Sequence, residues 1–146
     1  MTVPIKRADE DFSHVFYALS PAGNSAIEKT LDKLAKSDPE SADYVAALIE
    51  KLESFGIMSP HNVRGVRNRK IGKLYELYVH PDCPKPLRIL AARSSIGGCW
   101  IVVLIKIVDQ HGGKTNKFPQ ETIRLAEKDA DRILKWINEG GNINDL

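Results

Sequence analysis

Apolar residues recur along this chain with two different periods, and the changes of period mark its elements. Val15-Phe16-Tyr17-Ala18-Leu19 is a run of strand formers closed by Ser20-Pro21-Ala22-Gly23, which predicts a first strand and a turn. The spacing then becomes helical: Ile27, Leu31, Leu34 and Ala35 share one face. Ser25 and Glu28 stand at capping-box spacing, where the hydroxyl accepts from the Glu28 N–H. This helix is expected to end near Ser37. Asp38 then suits an N-cap, Pro39 the first helical position and Gly56 the C-terminal stop, and Val45, Leu48, Ile49, Leu52 and Phe55 form the apolar stripe between them.

Residues 59–72 hold few apolar positions and read as a basic loop with room for a short strand. Leu74–His80, Leu87–Arg93 and Cys99–Asp109 are each rich in strand formers. Prolines with Asp82 follow the first of them and Gly97-Gly98 the second, and connections that short favour antiparallel neighbours. Ile123, Ala126, Ala130, Ile133, Leu134 and Ile137 mark a last helix that starts near residue 118 and stops at Gly140-Gly141. Residues 1–11, charged and aperiodic, are expected to be a loose arm, and residues 141–146 a tail. The predicted class is α+β in one domain spanning 1–146. Its order is strand, helix, helix, three-strand antiparallel meander, C-terminal helix, with the helical hairpin on one sheet face and the last helix elsewhere.

Composition narrows this without deciding function. A chain of 146 residues buries roughly two-thirds of its unfolded surface and folds without disulfide or metal. A net charge of +2 is too mild to assign a polyanionic partner, so the distribution of charge must decide. Cys83 and Cys99 lie in no CxxC pair and show no zinc-finger spacing. They read as reduced thiols near strand ends, with a disulfide between them as the alternative. The opening MTVPIKRADEDF lacks the apolar run of a signal peptide, and no stretch approaches the ~20 apolar residues of a membrane span, so a cytoplasmic location without a membrane partner is expected. Gly113-Lys114-Thr115 has the look of a nucleotide-binding P-loop, but the first glycine of that pattern would fall at Val108, which argues against nucleotide hydrolysis.

Three segments, in order, resemble one family: Lys73-Leu74-Tyr75-Glu76-Leu77, then Leu87-Arg88-Ile89-Leu90, then Ile101–Leu104 followed by Lys114-Thr115-Asn116-Lys117-Phe118-Pro119 with Glu121, Ile123 and Ala126. This arrangement resembles the phage-derived HigB-like branch of the RelE/ParE toxin superfamily, over about residues 13–137. The chain departs from that pattern at Tyr78, where the family has arginine, and at Asp109-Gln110, where it has two lysines. His111-Gly112-Gly113 is a short insertion before Lys114. The resemblance implies a RelE-like fold and the toxin of a type II toxin–antitoxin pair. It further implies a ribosome-dependent endonuclease that cleaves mRNA without metal or other cofactor and so inhibits translation. The implied partners are mRNA on the ribosome and a cognate antitoxin, often a helix-turn-helix DNA-binding protein. Another branch of the superfamily attacks DNA gyrase. That activity, and a non-toxic interaction protein retaining the fold, stand as alternatives.

Cleavage of this kind uses the 2′-OH of the substrate as nucleophile, so the protein must move a proton and stabilise a phosphate that gains charge. Arg88 is the first candidate. It sits between Leu87 and Ile89 and so points to the opposite sheet face, and it matches the family arginine that contacts the scissile phosphate. The competing reading of Arg88 is an ion pair with Glu76. Lys114 and Lys117 approach a helix N-terminus, which favours anions. Lys106 has the parity of Trp100, Val102 and Leu104 and could face the site or solvent. Tyr78, on the same face as Glu76, can stack on a base or donate its hydroxyl, whereas Tyr75 belongs to the other face and to the core. Arg64, Arg67, Arg69, Lys70 and Lys73 form a basic stretch that either grips RNA phosphates or is simply solvated. His80 and His111 are acid–base candidates by ordinary pKa alone, and Trp100 and Trp136 read as packing residues.

Overall fold

The computed structural model describes residues 3–57, 66–109 and 120–142. The elements run β1 (Ile5–Arg7), β2 (Val15–Ala18), α1 (Ala26–Ser37), α2 (Pro39–Phe55), β3 (Asn68–Ile71), β4 (Leu74–Tyr78), β5 (Leu87–Ile96), β6 (Cys99–Asp109) and α3 (Gln120–Asn138). They form an α+β structure on one mixed sheet of order β1-β2-β6-β5-β4-β3. The β3 to β6 ladder is antiparallel throughout, as short connections require. β2 pairs with β6 in parallel, a pairing that no hairpin could make. Among the described residues no helix is long and apolar enough to cross a membrane.

The helix boundaries follow their capping chemistry. The Ser25 hydroxyl accepts from the Glu28 N–H at 3.1 Å, and the Asp38 carboxylate accepts from the Ser41 N–H at 3.2 Å and from its hydroxyl at 2.6 Å. These bonds hold the Asp38 carboxyl below its usual range: the Ser41 hydroxyl contributes most, then the Ser41 N–H. Gly56 closes α2 at φ 67°, a left-handed backbone that favours glycine, and a Cβ there would also stand 3.2 Å from the Trp100 ring.

Period-two alternation gives the sheet two apolar faces. Leu77, Ile89, Ala91, Val102 and Leu104 bury against Ile27, Leu34, Val45, Leu48 and Leu52 of the α1–α2 hairpin. Leu74, Leu90, Ala92, Ile101 and Val103 bury against Ala126, Ala130, Ile133 and Trp136 of α3 on the other side. Each large side chain so buried contributes about 1.5–3 kcal/mol. Glu53 ties α2 to the sheet: its carboxylate accepts the backbone N–H groups of Ser13, His14 and Val15 at 3.1, 2.7 and 3.0 Å.

Two sequence expectations need correction. The expected loose arm contains β1, and Ile5 is fully buried under α3, because its apolar side chain completes that face of the sheet. The short strand for which the basic stretch had room is present as edge strand β3, held by its ladder to β4. The tail does not begin at Gly141, whose N–H bonds to the Trp136 carbonyl at 3.0 Å and whose missing side chain lets the indole pack against its backbone. Cys83 and Cys99 are free thiols.

Candidate nucleic-acid interface

On the α3 side of the sheet the apolar surface stops at Leu90, and polar residues take over toward the open end of β4 and β5. Cross-strand register builds two rows there. Arg69, Glu76, Leu90 and Lys106 lie opposite one another on successive strands, and Tyr78, Arg88 and Val108 form the neighbouring row. Arg67 extends the second row, since the Tyr78 N–H donates to its carbonyl at 2.9 Å. Strand pairing therefore places two arginines on either side of one tyrosine.

The contacts show how the cations are held. The Arg88 guanidinium carbon lies 3.7 Å from the Tyr78 ring centroid and that of Arg67 lies 4.7 Å from it. Such contacts are worth about 0.5–1 kcal/mol when exposed and more when dry. Glu76 is fully buried between two arginines. Arg69 reaches Oε2 through Nε at 2.9 Å and through a terminal nitrogen at 2.6 Å. That bond, reinforced by the Glu76 charge, raises the Arg69 pKa further above its ordinary value. Arg88 Nε approaches Oε1 at 3.1 Å, yet neither atom has a hydrogen-bond partner. The pair is thus electrostatic contact without donor alignment. Arg88 is 19% exposed. Among the described residues its terminal nitrogens make no hydrogen bond, and a guanidinium fork is the group that grips phosphate bidentately.

Arg88, Tyr78, Arg67 and Arg69 are therefore gathered on one face, and the Arg88–Glu76 ion pair is present as well. Lys106 joins them by an irregularity that alternation could not foresee. A register shift between Leu90 and Ala91 puts Leu90 opposite Lys106 and Ala91 opposite Leu104, leaving Ile105 as the extra residue. Lys106 consequently faces the Arg88 side, not the Leu104 side, and is exposed.

The rest of the basic stretch is dispersed. Lys70 points to the opposite sheet face, 4.4 Å from the Tyr75 ring, because it alternates with Arg69. Lys73 is tied to Asp131 of α3 at 2.9 Å, a bond that raises its pKa. Arg64, Lys114, Lys117 and His111 lie outside the described residues. Tyr75 is half-buried against the hairpin core, as expected, with Arg93 on its other flank at 5.0 Å. Trp136 is a packing residue, whereas Trp100 is exposed on one side and stacks on His14 at 3.7 Å.

A feature missed in the sequence adjoins this row. A groove of about 500 Å³ runs between α2 and the β4–β5 connection and ends at Arg67, Tyr78 and Arg88. Tyr44 and His80 stack within it at 4.7 Å. Only tertiary packing brings Tyr44 there, although its position on α2 could be read from the helical period. Among the described residues no three His, Cys, Asp or Glu side chains converge as metal ligands. The chain matches no protein-family model, no curated protein and no solved structure.

Proposed function

We propose that this chain is a RelE/ParE-type toxin that acts on mRNA at the ribosome, with the Arg67–Tyr78–Arg88 row as its phosphate-binding surface. The observation that carries the reading is Arg88, held by Tyr78 and Glu76 with its terminal nitrogens unpaired among the described residues. Arginine in that state suits a phosphate whose charge grows in the transition state. Arg67 and Lys106 add positive charge on the same face, and Tyr78 offers a ring or a hydroxyl to an unstacked nucleotide. The strand–hairpin–meander–helix order is compatible with a RelE-like arrangement. Lys114 and Lys117 are proposed to supply the proton-transfer and leaving-group chemistry, by their place in the family-like motif. The working location is the cytoplasm, and the proposed partner is a cognate antitoxin.

A second reading has its own support. Glu76 pairs with Arg88 and Arg69, so this cluster also serves the fold, and a non-toxic interaction protein would keep it for that reason alone. Inducible expression separates the two. The toxin reading predicts arrested growth and translation, relieved by Arg88→Ala. Unaffected growth under strong expression sinks it, and arrest by a DNA-damage response with intact translation moves the target to gyrase.

A further inference from the structure

We infer that the groove between α2 and the β4–β5 connection is a base-binding subsite, which receives one unstacked base of a single-stranded RNA whose phosphate lies on Arg67 and Arg88. The inference rests on the RNA reading above and adds to it a place for the base. At about 500 Å³ the groove falls within the roughly 300–1,000 Å³ typical of small-ligand sites. Among the described residues its lining contains Lys51, Arg67 and Arg88 and no carboxylate, so it favours a polyanion. Tyr44 and His80 already stack, at 4.7 Å and 24° between planes, and a base would extend that stack from the exposed His80 side. The wall is stiff, because Pro81, Pro84 and Pro86 fix φ along the connection.

His80 also has a defined hydrogen-bonding state. Its Nδ1 accepts the Asp82 backbone N–H at 3.0 Å, so the neutral ring carries its proton on Nε2. That leaves a donor in the ring plane, directed at a phosphate or ribose oxygen beside the stacked base. Cationic groups at the mouth and an aromatic pair inside give the groove the two components that single-strand sites combine, a charged track for the backbone and a platform for the base.

The test is fluorescence anisotropy with a short labelled RNA and with an abasic ribose-phosphate oligomer of the same length and charge. His80→Ala and Tyr44→Leu are each expected to weaken RNA binding about five- to a hundredfold, the span of losing one base–aromatic stack, while leaving the abasic oligomer within about twofold. Arg88→Ala is expected to weaken both. Equal losses on the two oligomers, or no loss on RNA, overturn the subsite while leaving the phosphate row intact. Wild type that binds neither oligomer overturns the subsite, and the reading at the ribosome is judged separately by the inducible-expression experiment above. Urea midpoints check folding; should Tyr44→Leu unfold, His80→Ala, at an exposed position, carries the test alone.

Discussion

Replacing Glu76 with glutamine keeps the volume of the side chain and removes its charge. The carboxylate is 0% exposed and faces three guanidinium nitrogens at 2.6, 2.9 and 3.1 Å. Removing one member of a buried pair generally costs 3–5 kcal/mol, because the remaining charge stays buried and uncompensated. Here the two survivors differ. Arg69 is 48% exposed and can turn to water, whereas Arg88 is 19% exposed and held against Tyr78. Arg88 therefore carries most of the penalty, and roughly 2–4 kcal/mol is expected for Glu76→Gln. At about 3 °C per kcal/mol for a chain of this size, the melting temperature should fall by roughly 6–12 °C. Urea denaturation followed by circular dichroism measures the loss, and a Glu76→Gln, Arg88→Met double-mutant cycle isolates the pair. The control is Lys6→Ala, which breaks an exposed pair with Glu28 at 2.7 Å and should cost at most about 1 kcal/mol. If Glu76→Gln falls no further than the control, the carboxylate does not hold the row together and the reasoning fails.

Other consequences follow from the same structure. Gly56→Ala, at φ 67° and against Trp100, should destabilise the chain by about 1–2 kcal/mol, measured by urea denaturation. Asp38 has a depressed folded-state pKa, so its contribution is present above the unfolded carboxylate pKa of about 3.9 and is lost as pH falls through the lower folded value. Asp38→Asn should flatten that acid limb in thermal melts recorded between neutral and strongly acidic pH. Tyr17 is pushed up to about 12, by burial first and then by Glu28 and Asp9. The unfolded chain releases that proton first, near pH 10, so stability should fall as pH rises from there toward 12, and ultraviolet titration of wild type beside Tyr17→Phe should show Tyr17 ionising late in the folded protein.

Much of the framework could be read from periodicity. α1 and α2 begin at Ser25 and Asp38 because the caps are local chemistry, and the β4–β6 meander follows from strand formers bounded by turn residues. β1 escaped because three residues, Ile5-Lys6-Arg7, carry too little pattern, and only the face they complete shows their role. The face of Arg88 was legible from alternation. The face of Lys106 stayed open between site and solvent, because a single extra residue at Ile105 reverses every face beyond it, and composition does not encode such a bulge. The basic stretch looked continuous in sequence, yet strand alternation sends Arg69 and Lys70 to opposite sides and α3 takes Lys73. The groove beside Tyr44 joins residues far apart in the chain, and no local pattern announces it.

RNA 5′-end mapping in cells expressing the chain, wild type beside Arg88→Ala, tests the central claim most directly. The account predicts new ends inside open reading frames, tied to translation, for the wild type, and their disappearance in a variant that still folds. Transcript ends unchanged in the wild type, or equally abundant with Arg88→Ala, would contradict it.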